Sequence, residues 1–183
     1  MVLDSIRWVP LARVDKFDPD AVAYVRSRTG LREPQGSALA HFCRPWETIE
    51  VEGNALTTAG LDRITKLIIG SSGNPLSATY ARLGVGDDTT AFNASDTDLS
   101  TTTNQYYVAN DSTYPQQSNG VITCKGTFTD ALANFAWQCW GIDIGSANTA
   151  GSTANTPLVN RKVASLGTKA SGSWVLTVTL TLS

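Results

Sequence analysis

The chain has few of the residues on which catalysis, metal binding and nucleic-acid binding usually depend. Only 16% of its 183 residues are charged, the formal net charge is −2, and there are one histidine, one methionine and three cysteines. So small a charge excludes a strongly basic surface, and with it nucleic-acid binding. Three cysteines without CxxC spacing form neither a disulfide framework nor a zinc site, so we expect buried, reduced thiols.

Signals for membrane insertion and for secretion are also missing. No apolar run approaches the roughly 20 residues that span a bilayer, so we expect no membrane association. Residues 1–7 lack the basic stretch and the apolar core of a secretory signal. These two absences predict a soluble protein that is made in a cytosol.

The sequence carries no signature of an enzyme. Neither the phosphate-binding pattern GxxxxGK[ST] nor the nucleophile motif GxSxG occurs. His41 is the only imidazole, and it lies beside Phe42 and Cys43, away from a serine or an acid that would complete a catalytic group. We therefore expect a non-enzymatic protein without a cofactor. A hydrolase acting on a cell-wall polymer is the rival class, and it requires an essential aspartate or histidine.

Four carboxylates are the best candidates for a metal site, because hard oxygen ligands on a loop can hold calcium. The spacing of an EF-hand is missing, as is the bidentate glutamate that closes one. The alternative is that Asp87 and Asp88 follow Gly86 in a turn, while Ser95 and Asp98 cap a short helix. We expect no metal, with these residues as the weak candidates: Asp87, Asp88, Asp96 and Asp98.

What the chain does have is the composition of a β protein. Threonine occurs 23 times, serine 16 times and glycine 15 times, and threonine favours strands while keeping an exposed sheet face polar without charge. Residues 121–128, 134–142 and 174–182 alternate with a period of two. The last of these has an apolar side and a side of mainly threonine. The predicted fold is therefore mainly β, an antiparallel β-sandwich or open barrel.

One helix is predicted ahead of these strands. Thr57 or Thr58 caps its start, leucine and isoleucine recur at helical spacing after it, and Gly70 ends it. We expect this helix to pack on a sheet through its apolar residues, which are Leu61, Ile64, Leu67 and Ile68.

The first 45 residues are less regular than the rest. They carry seven lysines and arginines against five acids, whereas residues 46–183 carry seven against eleven. Asp18-Pro19-Asp20 starts a short helix that Gly30 ends. We therefore divide the chain into an extended N-terminal arm, residues 1–45, and a β-sandwich body, residues 46–183. We expect the body to fold without the arm.

Two tryptophans share one predicted strand. Trp137 and Trp140 are three residues apart, so in a regular strand they face opposite sides of the sheet. One of the two is then exposed. We take Trp140 as the candidate anchor for a protein partner or, alternatively, for a sugar.

Several short segments in a fixed order carry a resemblance over residues 53–183. The helix is preceded by GNALTTAGL (53–61), and the next strand continues as RLGVGDDTTA (82–91) and SDTDL (95–99). Later come ANFAWQCWG (133–141), LVNRK (158–162) and Lys169, before the last strand. In this arrangement the chain resembles a group of tailed-bacteriophage virion proteins.

The resemblance implies a non-enzymatic building block of the phage particle, made in the cytoplasm of the host bacterium. Such a protein decorates or stabilises the capsid, with the major capsid or tail proteins and copies of itself as partners and a trimer as the candidate homo-oligomer. The alternative is a tail-fibre, receptor-binding or baseplate component that contacts a host-surface glycan. We expect the arm and one tryptophan to bind partners, through Trp8, Phe17, Val22, Val25, Phe42 and Trp140.

Overall fold

The computed structural model describes residues 8–71, 73–99 and 104–182, which form two antiparallel sheets of five strands each and three helices. Sheet A contains β1 (Trp8–Phe17), β2 (Glu47–Glu52), β6 (Gln116–Ser118), β7 (Val121–Phe128) and β10 (Ser173–Leu182). Sheet B contains β3 (Ala55–Leu56), β4 (Ala81–Gly86), β5 (Gln105–Ala109), β8 (Ala136–Ile144) and β9 (Leu158–Thr168). The helices are α1 (Pro19–Thr29), α2 (Gly36–Phe42) and α3 (Thr58–Ile68).

The two sheets enclose one apolar core. Sheet A is ordered β2-β1-β10-β7-β6 and sheet B is ordered β3-β9-β8-β4-β5. Val14 and Leu176 of sheet A belong to the same buried cluster as Leu83 and Trp140 of sheet B. The prediction of a mainly β, antiparallel sandwich is therefore confirmed. No helix among the described residues has both the length and the apolar character needed to cross a membrane.

The strand at the C-terminal end has the predicted two faces. Leu176, Val178 and Leu180 are buried in the core, whereas Thr177 and Thr179 alternate with them and are half-buried. This alternation follows from the pleat of the strand, which turns successive side chains to opposite sides.

The prediction that Trp140 is exposed is wrong. The register of β8 against β9 shifts between Trp137 and Cys139, so the regular alternation is interrupted there. Trp137 and Trp140 consequently both lie in the core and are completely buried. Trp137 also donates a hydrogen bond from its indole nitrogen to the Ala133 carbonyl, at 2.9 Å.

The described part of the predicted N-terminal arm is not an arm. Strand β1 is an inner strand of sheet A: it pairs with β10 along its whole length on one side, and with β2 from Leu11 to Lys16 on the other. Helices α1 and α2 cover the outer face of sheet A over Phe17 and Val175. Sequence reasoning missed β1 because its inward positions include Ala12 and Lys16, which weaken the apolar alternation. Residues 1–7 lie outside the described residues.

Helix α3 begins where it was predicted to begin. The Thr57 hydroxyl accepts a hydrogen bond from the Gly60 amide at 2.9 Å and donates one to the Leu158 carbonyl. Gly60 lies directly on β9, where a Cβ atom would come within 2.1 Å of the Val159 carbonyl oxygen. The start of the helix is therefore fixed against sheet B.

The packing of α3 differs from the prediction. Ile64 and Leu67 are half-buried, but Leu61 and Ile68 remain mostly exposed. The N-terminal turn of the helix packs closely on β9 through Gly60, whereas Ile64, Leu67 and Ile68 line an apolar groove between the helix and the sandwich. The prediction that all four apolar residues pack on the sheet is thus wrong for Leu61 and Ile68.

Candidate functional site

The outer face of sheet B carries a strip of glycines on which two side chains are seated. Gly84 and Gly141 lie opposite each other on β4 and β8. A Cβ atom on Gly84 would come within 2.4 Å of Tyr107 and 2.6 Å of Leu99, and one on Gly141 within 3.0 Å of Leu99. Leu99 and Tyr107 are completely buried there. The glycines therefore provide the room in which the loop after β4 is anchored to the sheet.

Arg161 of β9 holds the same loop through its acids. Its guanidinium lies 3.0 Å from the Asp96 carboxylate and 3.3 Å from that of Asp88, and it donates to the Thr90 carbonyl at 3.0 Å. The arginine is buried, and Asp88 and Asp96 are only partly accessible. A buried cation with two carboxylates fixes the path of the chain from residue 88 to residue 96.

Asp98 and Asp87 are engaged elsewhere. Asp98 accepts hydrogen bonds from the Leu99 amide at 2.7 Å, the Tyr107 hydroxyl at 3.0 Å and the Gln105 side chain at 2.9 Å. Asp87 accepts one from the Asn104 side chain at 2.8 Å. These carboxylates act within the loop as hydrogen-bond acceptors.

The four aspartates therefore do not form the calcium site considered from the sequence. Asp88 and Asp96 face the Arg161 guanidinium, which supplies the positive charge that a cation would bring. Among the described residues, no group of three or more acidic, histidine or cysteine side chains is arranged to hold a metal ion. Ser95 does not cap a helix either, since its amide and hydroxyl both donate to the Asn93 side chain.

A second buried ion pair holds the loop of residues 145–157. Arg82 of β4 pairs with Asp143 of β8 through two hydrogen bonds, of 3.1 and 2.5 Å. The same guanidinium donates to the Thr149 and Thr153 carbonyls at 2.7 and 2.8 Å, and Asp143 accepts from the Asn155 amide at 2.7 Å. Burial raises the pKa of the Asp143 carboxyl, and the hydrogen bonds from Arg82 oppose this rise.

Tyr107 connects the two ion-pair networks. Its hydroxyl donates to Asp98, and its ring lies under the Arg82 guanidinium at 4.7 Å from the ring centroid. Burial, followed by the charges of Asp98 and Asp143, raises the pKa of this tyrosine above its ordinary value. The tyrosine therefore stays protonated and acts as a hydrogen-bond donor.

The buried thiols are held in the protonated form. The Cys139 thiol donates to the Leu99 carbonyl at 3.0 Å, and burial raises its pKa to about 11. Burial raises the pKa of Cys124 to about 12. All three cysteines are free, and Cys43 is half-buried. His41 is exposed on α2, where its ring lies 4.7 Å from that of Phe42.

The predicted partner-binding residues are mostly buried within the chain itself. Phe17, Val22 and Val25 form a small core between sheet A and its two helices, and Trp140 lies in the main core. Because these side chains are inaccessible, they are not anchors for a partner of the folded chain. Trp8 is half-buried at the edge of the core, and Phe42 is 38% exposed.

A group of accessible apolar residues lies instead on α3 and directly after it. Leu61, Ile68 and Ile69 are 52%, 76% and 78% exposed. Ile68 also lines an apolar groove of about 310 Å³ between α3 and the open end of the sandwich, together with Trp8, Ile64, Leu67, Leu76, Ile122, Ile144, Val159 and Leu180. Ile69 directly follows the predicted apolar residues of the helix. The sequence therefore already indicated an apolar surface on α3 that is too wide to be covered by one sheet.

Fold and site together define an antiparallel β-sandwich in which buried ion pairs lock two loops onto one outer face. In comparisons with known proteins, the chain matches no protein family, no curated protein and no solved structure.

The role of Leu99 in anchoring the loop can be measured. We expect Leu99→Ala to lower the free energy of unfolding by about 2–5 kcal/mol, because it leaves a cavity on the glycine strip. Chemical denaturation followed by tryptophan fluorescence measures this loss. The matched control is Leu31→Ala at an exposed leucine, with an expected change within about 0.5 kcal/mol. Equal stability of the two variants would show that Leu99 does not anchor the loop.

Proposed function

We propose that the chain is a non-enzymatic structural subunit of a tailed-bacteriophage particle, in which it binds other virion subunits and decorates or stabilises the capsid. The exposed apolar face of α3 is the observation that carries this proposal. Single exposed apolar residues are ordinary in a soluble protein, but a group of them beside an apolar groove marks a surface that binds protein. The resemblance of residues 53–183 to virion proteins supplies the kind of assembly.

The buried polar residues support a structural role for the resembling segments. Arg82, Asp88, Asp96, Asp143 and Arg161 belong to those segments or to their immediate neighbours, and they pair with one another. Their observed contacts hold two loops in fixed positions on sheet B. A rigid loop surface suits a subunit that meets its neighbours in one orientation, since little conformational entropy is lost on binding.

A tail-fibre, receptor-binding or baseplate component that contacts a glycan is the second candidate. Trp140 is buried and does not serve it, but Trp46 is 60% exposed. Trp46 borders an open cavity of about 260 Å³ together with Asp18, Thr168, Ser171 and Trp174. An exposed indole beside hydroxyl and carboxylate groups offers an apolar face and hydrogen-bond partners to a sugar.

Quantitative mass spectrometry of purified phage particles tests the proposal. We expect the chain to be present in many copies per particle, and purified protein to rebind particles that lack it. Ile68→Glu should reduce the number of bound copies, whereas Leu31→Glu, at an exposed leucine outside α3, should not. Absence from particles, or turnover of a cell-wall polymer, would contradict the proposal. A handful of copies, with glycan binding that Trp46→Ala abolishes, would favour the second candidate.

A further inference from the structure

A tryptophan stays mostly exposed beside one end of the sandwich. Trp46 directly precedes β2 and is 60% exposed. It borders an open cavity of about 260 Å³, whose other walls come from the start of α1 and from the turn between β9 and β10. Trp174 of β10 lines the same cavity and is almost completely buried. The cavity therefore has one accessible indole and one buried indole in its walls.

Contacts with β1 and β2 hold Trp46 in place. Its amide donates a hydrogen bond to the Lys16 carbonyl at 2.9 Å. The buried Lys16 ammonium forms an ion pair of 2.7 Å with Glu47 and lies 5.6 Å from the centre of the Trp46 ring. A cation at this distance from an indole ring is attracted to it. The orientation of the indole is restricted before a ligand arrives, and this lowers the entropy cost of binding.

The turn between β9 and β10 is also firmly held. Lys169 is buried, and its ammonium donates to the Asn134 side chain at 2.6 Å. The Gly172 amide donates to the Asp130 carboxylate at 2.6 Å, and a Cβ atom on Gly172 would come within 2.1 Å of the Phe17 carbonyl oxygen. The turn is thus attached to the loop between β7 and β8 and packs against the end of β1, so this wall of the cavity is rigid as well.

Three polar side chains at the cavity keep free hydrogen-bonding capacity. Asp18 accepts a hydrogen bond from the Ala21 amide through one carboxylate oxygen, at 2.7 Å, and its other oxygen can accept from a ligand. The Thr168 and Ser171 hydroxyls are exposed and make no hydrogen bond to the described part of the chain. No lysine or arginine of that part pairs with Asp18. The cavity therefore offers a carboxylate without a counter-ion and two hydroxyls that can donate or accept.

This combination matches the two sides of a sugar ring. A pyranose has an apolar face of C–H groups, which packs on an indole, and hydroxyls at its edge, which bond to carboxylates and hydroxyls. The anchor residue of a protein interface is instead surrounded by contacts that exclude water, whereas Asp18, Thr168 and Ser171 give this cavity a polar border that water reaches. The cavity is smaller than the ~300–1,000 Å³ of a pocket for a drug-sized ligand, so it has room for one ring.

We propose that the cavity beside Trp46 binds a single neutral pyranose ring of a glycan. The ring stacks on Trp46, and its hydroxyls bond to Asp18, Thr168 and Ser171. The Asp18 charge disfavours anionic sugars, because like charges would then lie close together. The proposal goes beyond a structural role and holds for a capsid or a tail subunit, and it names the kind of sugar that the second candidate function needs. An open site for one ring binds weakly, with a dissociation constant in the millimolar range, and several copies on one particle raise the avidity.

Saturation-transfer NMR on the whole chain tests this proposal. The probes are the methyl pyranosides of glucose, galactose, mannose and N-acetylglucosamine, with glucuronic acid and N-acetylneuraminic acid as the anionic comparison. We expect at least one neutral sugar to receive saturation from the protein and the two acids to receive none. The bound sugar should also shift the indole N–H resonance that is missing from the spectrum of Trp46→Ala.

Three variants locate the sugar on the protein. Trp46→Ala should weaken binding by about tenfold, because the stacking surface is lost. Asp18→Asn should weaken it by about fivefold, because a charged acceptor becomes a neutral one, while asparagine still caps α1. The control is Tyr24→Ala, at an aromatic residue of α1 that is 49% exposed, and it should bind as the wild type does. Circular dichroism shows whether each variant is folded.

Two results would overturn the proposal: no binding of any of the four neutral sugars, or sugar binding that Trp46→Ala leaves unchanged. A loss of particle binding in Trp46→Ala, without sugar binding by the wild type, would also overturn it, because Trp46 would then contact a protein. The number of copies per particle tests the structural role separately, so that role can stand when sugar binding fails.

Discussion

Deletion of residues 1–45 is expected to abolish cooperative folding. Strand β1 pairs with β10 from Trp8 opposite Leu182 to Phe17 opposite Ser173, and it carries β2 on its other side. Without β1, the edge of β10 and the core beneath it are exposed to water. We expect the truncated protein to lack a sharp denaturation transition by circular dichroism and to aggregate. A soluble protein with a normal transition would show that sheet A is stable without its inner strand.

Two neighbouring substitutions in β1 test whether this segment is a paired strand or an unpaired arm. Val14 is completely buried, whereas the next residue towards the N-terminus, Arg13, is exposed. Val14→Thr should cost about 1–3 kcal/mol, because it places a hydroxyl in the apolar core. Arg13→Thr should change stability by about 1 kcal/mol or less, because it removes only surface ion pairs. An unpaired arm would tolerate both equally.

Arg82→Met is expected to destabilise the protein by about 3–5 kcal/mol, because it leaves the Asp143 carboxylate buried without its counter-ion. Two carbonyls of the 145–157 loop, those of Thr149 and Thr153, also lose their donor. The double variant Arg82→Met/Asp143→Leu should recover part of this loss, since it removes the uncompensated charge as well. Chemical denaturation of both variants measures the difference. If Arg82→Met were as stable as the double variant, or more stable, that result would contradict the buried-charge argument.

The same variant should respond to pH in a defined direction. Burial already raises the pKa of Asp143 in the folded protein, and loss of Arg82 removes the hydrogen bonds that oppose this rise. A carboxyl with a raised folded-state pKa holds its proton more tightly in the folded than in the unfolded chain. Stability then falls as pH rises from the unfolded pKa through the folded one. The deficit of Arg82→Met against wild type should therefore shrink on acidification and be largest at neutral pH.

Local patterns predicted much of the fold because they depend on neighbouring residues. The alternation of β10 and the capping threonine of α3 are properties of a few consecutive side chains, and both were predicted correctly. Strand β1 was missed because its partner β10 lies at the other end of the sequence. Its weak alternation therefore becomes a strand only through long-range pairing.

The sequence identified several residues of the candidate site, but it did not show which groups those residues contact. The acids near Asp88 were recognised from their density along the chain. Their partner Arg161 comes from β9, and Arg82 meets Asp143 only because β4 and β8 are adjacent in sheet B. Trp140 was assigned to the wrong face because a shift in strand register changes side-chain direction without a mark in the local sequence.

By itself, the amino-acid sequence determined that this protein is built from antiparallel strands with one apolar side. The reason is that hydrophobicity with a period of two matches a half-buried strand and does not match a helix. Only the tertiary structure decided which charges meet, which tryptophans are buried and which side of α3 stays accessible. These features depend on strand order, register and helix rotation. They are set by contacts between residues far apart in the chain, and so they cannot be read from neighbouring residues.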